Sequence, residues 1–190
     1  MSQNKGILNR KETTDLLRRL IAAKTSKPGV YGAHEVALDW GTAHPKYVDF
    51  MTFSPENTVD VSGIEKGIFT CYEIKSCYED LYSGKGLNFI GEKNYLVTTM
   101  DVYKRIHDDK DKLRNHIQEC NSESKYRLGH DVGVYALIPE GRKAEDEFSN
   151  PSPLLKDTKW ELVSVMPCHT TTRKRSLTEL LFCMMKARVH

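Results

Sequence analysis

The fold class that the sequence predicts is α/β, with a central mixed β-sheet flanked by helices, and three observations carry that expectation. Short runs rich in aromatic and β-branched residues, bounded by Gly, Pro, Asn or Ser, recur at 47–53, 68–76, 94–99, 132–138 and 160–166. Segments with apolar residues at helical spacing precede, separate and follow them. Neither a repeat nor a linker composition interrupts the 190 residues, and a chain of that length buries roughly two-thirds of the surface its unfolded form exposes. One domain spanning 1–190 is therefore expected.

Taken in order, Leu16, Leu17, Leu20 and Ile21 give 9–24 an amphipathic helical pattern, which Lys27-Pro28-Gly29 ends. The stretch Tyr31 to Trp40 reads as a second helix, closed by Gly41 and Pro45. YVDFMTF at 47–53 is a strand, Ser54-Pro55-Glu56-Asn57 turns the chain toward Val59 and Val61, and IFTCYEIKS at 68–76 is the next strand. Residues 78–92 form a glycine-bearing crossover before NYLVTT at 94–99. A charged helix over 100–119 follows, with Asp108-Asp109-Lys110-Asp111 as a solvated turn, then a polar connector at 121–129. Strands at 132–138 and 160–166 enclose a surface loop at 139–153, and 176–188 closes the chain as a helix.

Composition excludes several classes. Apolar runs fall short of the roughly 20 residues that a membrane span requires, and the N-terminal stretch is polar, so a cytoplasmic protein without membrane association is expected. The five cysteines are scattered without a CxxC pair, as expected of reduced thiols and not of a zinc knuckle. HExxH is absent, and Gly84-Lys85-Gly86 lacks the rest of a phosphate loop, so neither zinc nor a nucleotide cofactor is expected. The net charge is only +2, but it is uneven. Residues 1–30 carry seven basic against two acidic side chains and 156–190 carry seven against three, leaving the centre acidic. Basic ends suit a polyanion and an acidic centre suits cations.

The chemistry lies in the strands at 47–53 and 68–76. Side chains alternate along a strand, so Glu73 and Lys75 project together, about 7 Å apart, while Tyr72 and Ile74 face the other way. On the preceding strand Asp49 projects opposite to Val48 and Phe50, whose apolar bulk is expected to face the core. If the two strands pair, Asp49 approaches Glu73. Two convergent carboxylates suit a hard divalent cation, which lowers the pKa of bound water and polarises a phosphodiester. Lys75 would then offset charge developing on the phosphate.

YVDFMTF followed by CYEIKS resembles the signature of the PD-(D/E)xK, or restriction-endonuclease-like, nuclease superfamily. Asp49 stands as the aspartate and Glu73-Ile74-Lys75 as the (D/E)xK. The resemblance covers roughly 31–100, with basic helices outside it at both ends, and NFIGEKNYLVTT is similar to small bacterial or phage members. It departs from the pattern in having Val48, not proline, before Asp49. The resemblance implies a restriction-endonuclease-like core, a Mg²⁺ or Mn²⁺ cofactor held by Asp49, Glu73 and the Ile74 carbonyl, and an accessory acid from the first core helix, Glu35 by position, with Asp39 one turn later on the same side as the alternative. It implies DNA as partner and leaves open the pairing of two domains as a homodimer.

Arg173, Lys174 and Arg175 precede the last helix after three threonines and are candidate backbone contacts. Lys93, Asn88 and Asp80 in the crossover are candidates to position substrate. Tyr72, Tyr78, Tyr82, Phe89 and Tyr95 are candidates for base stacking, with the core as the alternative. Two functions stay open: a metal-dependent nuclease of DNA, or a non-catalytic module of the same fold, of phage or mobile-element origin, that binds nucleic acid or protein.

Overall fold

A computed structural model of the chain describes residues 6–43, 45–83, 86–120 and 126–187. It is α/β, with a six-stranded mixed sheet flanked by helices. Helix α1 spans Arg10–Thr25, begun by a capping box in which Asn9 accepts from the Glu12 amide and Glu12 accepts from the Asn9 amide. Strands β1 (Tyr31–Leu38), β2 (Lys46–Ser54) and β3 (Ile68–Lys75) form an antiparallel meander, with the short helix α2 (Val61–Glu65) before β3. The crossover after β3 holds the single turn α3 (Tyr78–Leu81) and delivers β4 (Lys93–Thr99) parallel to β3. Helices α4 (Met100–Asp108) and α5 (Lys110–Cys120) then lead to β5 (Gly133–Pro139), parallel to β4. Helix α6 (Ala144–Ser149) precedes the antiparallel edge strand β6 (Trp160–Met166), and α7 (Leu177–Ala187) follows. The strands lie in chain order across the sheet.

Helix α1 covers one face, where Leu16, Leu17 and Ile21 meet Phe50, Tyr72, Ile74, Val97 and Leu137. Rings from successive strands line this face. His34 lies 4.5 Å from Phe50, Phe50 5.7 Å from Tyr72, Tyr72 5.8 Å from Tyr95, and Tyr95 4.8 Å from Tyr135. Tyr72 and Tyr95 are thus cross-strand neighbours in the sheet, not a stacking platform for bases, and Phe89 is fully buried. The opposite face carries two clusters, one under α7 and one under α4 and α5.

Three expectations need correction. Tyr31–Leu38 is a strand, not a helix: Val36 and Leu38 are buried two residues apart, the strand period, and Gly32 leaves room where the Phe50 ring approaches. The expected helix at 100–119 is two, broken at Asp109, within the Asp108–Asp111 run expected as a solvated turn. The loop after β5 contains α6, where Glu147 is buried against Arg142 and Ser152.

Candidate active site

The pairing of β2 with β3 runs from Ser54↔Ile68 to Phe50↔Tyr72 and goes no further. The next residues in register are Asp49 and Glu73, and there the Asp49 side chain takes over the ladder: its Oδ2 accepts from the Ile74 amide at 2.7 Å. On the other side, the pairs His34↔Phe50 and Val36↔Val48 leave Glu35 and Asp49 opposite one another without a ladder pair, and Glu35 has φ +51°. A non-glycine residue in the left-handed region rotates the strand locally. Phe50 accordingly joins the α1 face, whereas Val48, two residues away, joins the α7 face. This corrects the expectation that Val48 and Phe50 share one side, and it is at this change of face that Asp49 turns its carboxylate to the Ile74 amide of β3.

Glu73 fills that gap. It is fully buried, and the Asn88 amide donates to its Oε1 at 3.0 Å. Asn88 also donates from Nδ2 to the Tyr47 carbonyl at 2.8 Å, so one residue of the crossover links β3 to β2 across the divergence. Oε2 of Glu73 is buried with no hydrogen-bond partner. Burial foremost, and the neighbouring Asp49 charge next, push the Glu73 carboxyl up to about 8, against the opposing effects of the Asn88 amide, Lys75 and the Leu87 amide.

The crossover passes close over these groups. A Cβ on Gly86 would lie 2.8 Å from Glu73 Oε2 and 3.2 Å from Lys75 Nζ, so carboxylate and ammonium converge beside a glycine whose φ of +76° also suits glycine. Leu87, next in sequence, is buried with φ +62°. Consecutive left-handed residues over a buried charge form a strained segment of the sort that clusters at functional sites. Lys75 is itself 5% exposed.

Asp49, Glu73 and Lys75 are therefore brought together, with Ile74 between them. An extended residue turns its N–H and C=O to the same strand edge. The Ile74 carbonyl thus lies on the edge where its amide meets Asp49. Glu35 is not placed with them. Its position on β1 corrects the expected helix, its side chain is exposed, and it pairs with Arg18 of α1 at 3.1 Å. Among the described residues no group of three or more His, Cys, Asp or Glu could hold a metal ion, so the donor set here is two carboxylates.

The basic residues are differently occupied. Arg173 pairs with Glu92 at 2.9 Å and donates to the Gly67 carbonyl, tying the segment before α7 to the β3–β4 end of the sheet. Arg175 pairs with both Asp39 and Glu179. Lys174 is exposed, with its amide on the Ile90 carbonyl. Lys93 is half-buried at the start of β4, Asp80 pairs with Arg10 at 2.8 Å, and Asn88 is buried.

Sequence reasoning weighed Asn88 as a substrate contact and passed over Gly86. The glycine's position between an E-x-K strand and the following strand was legible, but its approach to Glu73 was not. Comparisons of the chain with models of known families, with curated proteins and with solved structures find no match.

Proposed function

We propose that the protein is a metal-dependent phosphodiesterase with the architecture of the PD-(D/E)xK superfamily. Within that class we read it as a nuclease acting on DNA. The observation that carries this reading is Glu73 Oε2, a buried carboxylate oxygen without a partner, set beside Lys75 and across the strand divergence from Asp49. An orphaned oxygen of this kind is costly in a folded protein and calls for a ligand. The order helix, three-stranded meander, crossover and parallel strand supports the same assignment.

The donor set fits Mg²⁺ or Mn²⁺. Glu73 Oε2, the second oxygen of Asp49 and the Ile74 carbonyl would hold it, within the one or two carboxylates that Mg²⁺ ordinarily takes. When bound, such an ion supplies a water acidic enough to attack a phosphodiester. Asp49 and Glu73 bind and orient, with Asn88 fixing their separation. Lys75 offsets negative charge on the phosphate. The leaving oxygen takes its proton from solvent, since no histidine is among these residues.

Purified protein is expected to cut plasmid or single-stranded DNA with Mg²⁺ or Mn²⁺ and to be inactive in chelator. Asp49→Ala and Lys75→Ala should each lower the rate by at least about a hundredfold. Cleavage that survives both substitutions would refute the assignment. Mn²⁺ uptake without cleavage would instead favour the non-catalytic binding module.

A further inference from the structure

Helix α7 shows solvent a surface unlike that of the other long helices. The outward residues of α1 include Arg10, Lys11, Asp15 and Arg19, and those of α5 include Lys112 and Arg114. On α7 the outward stripe is Thr178, Phe182 and Met185, spaced four and three residues apart, with Phe182 56% and Met185 60% exposed. The inward side, Leu180 and Met184, is buried against β1 and β2. The helix is thus apolar on both sides, as buried helices are, but the described chain covers only one.

A cleft lies along each flank of that stripe. One, of about 670 Å³, is walled by Trp40, Tyr47, Phe182 and Lys186, and the other, of about 340 Å³, by Tyr31, Phe53, Ile64 and Met185. Five of the eight large apolar side chains exposed among the described residues line these two clefts. The exposure is therefore concentrated along the two flanks of α7, the kind of clustering that marks an interaction site.

We propose that this face is a homodimer interface, occupied by a second copy of the chain whose α7 crosses the first antiparallel. A ridge set between two clefts is complementary to itself under a two-fold rotation, so Phe182 and Met185 of each copy enter clefts of the other. The charges of α7 agree. Glu179, which Arg175 of its own chain also pairs, lies in the first turn, and Lys186, 3.4 Å over the Trp40 ring, in the last, so an antiparallel copy brings an opposite charge to each at both ends. A nucleic acid is the poorer occupant, because the larger cleft is walled mostly by apolar residues, its carboxylates Glu35, Asp39 and Glu179 are already paired with arginines, and Lys186 is its one lysine. The inference stands apart from the nuclease reading, although Tyr47 joins the two regions: it walls the cleft and its carbonyl holds Asn88.

Size-exclusion chromatography with light scattering, run over a dilution series of the whole chain, tests it. The expected mass is twice 21.8 kDa. Phe182→Glu with Met185→Glu should give a monomer whose circular dichroism is unchanged, since both side chains are exposed, and whose melting no longer depends on concentration as the dimeric parent's does. Lys186→Glu should raise the dissociation constant about tenfold or more, and Glu179→Lys added to it should restore the dimer. A mass of 21.8 kDa throughout the series overturns the proposal, as does a dimer that the double glutamate variant leaves intact. Failure of the charge exchange to restore association overturns the antiparallel arrangement.

Discussion

Glu73 couples the candidate site to the stability of the fold. Its folded value of about 8 lies above the ordinary 4.5, so between those pH values the folded chain holds a proton that the unfolded chain has released. The stability this contributes is complete below about 4.5 and is lost as pH rises through 8. In chelator, the melting temperature should therefore decline across that interval more steeply in the parent protein than in Glu73→Gln, which has no proton to lose. Mn²⁺ competes for the same oxygen, so its stabilising shift should grow with pH and vanish in Glu73→Gln; a shift that persists in the variant would place the ion elsewhere. Gly86→Ala brings two penalties together. A left-handed residue loses about 1 kcal/mol when it gains a Cβ, and that Cβ would crowd Glu73 Oε2 and Lys75 Nζ. Calorimetry should show Mn²⁺ binding abolished while most of the fold's stability remains.

At the scale of elements, the turning point is the divergence of β2 from β3. Both strands were legible from their composition, and so was the shared face of Glu73 and Lys75, because alternation is a local property of extended chain. The change of face at Asp49 was not, since it falls opposite Glu35 on a third strand that the sequence pattern presented as a helix. Val36 and Leu38, spaced by two, were the available sign of β1. The segment before α7 gives a second case. Its basic triplet suggested a polyanion, but Arg173 and Arg175 meet Glu92 and Asp39, residues far away in sequence, and Arg175 also meets Glu179 one helical turn on. Arg173→Ala should lower the free energy of unfolding in urea by about 1–3 kcal/mol, as expected for a partly buried, hydrogen-bonded charge. It should leave the salt dependence of DNA binding unchanged; a slope reduced by about one would instead assign Arg173 to phosphate.

Across the whole molecule, one helix covers the face of the sheet behind the site. Leu17 of α1 is fully buried in that layer with Tyr72 and Ile74, the residues that flank Glu73 on β3. Leu17→Ala should cost about 2–5 kcal/mol in urea unfolding, and because α1 backs the strand that bears the site, Mn²⁺ binding should weaken with it. A loss below about 1 kcal/mol would mean that α1 contributes little to holding that layer. The other face is divided between α7 and the α4–α5 pair, with the crossover at 86–90 running along the seam. That seam is where Glu73 and Lys75 point, which is why two ionic groups lie buried so near the middle of the sheet.

By itself the sequence determined the α/β class, five of the six strands, the helices at either end and the shared face of Glu73 and Lys75. Each follows from periodicity or turn chemistry within a few neighbouring residues. Tertiary structure decided what those residues meet: the ladder-replacing Asp49 carboxylate, the crossover laid over Glu73, the pairing of Glu35 with Arg18 outside the site, and the half-covered α7. All of these depend on segments distant along the chain approaching within hydrogen-bond or van der Waals range, and the order of residues fixes such approaches only through the packing of the whole.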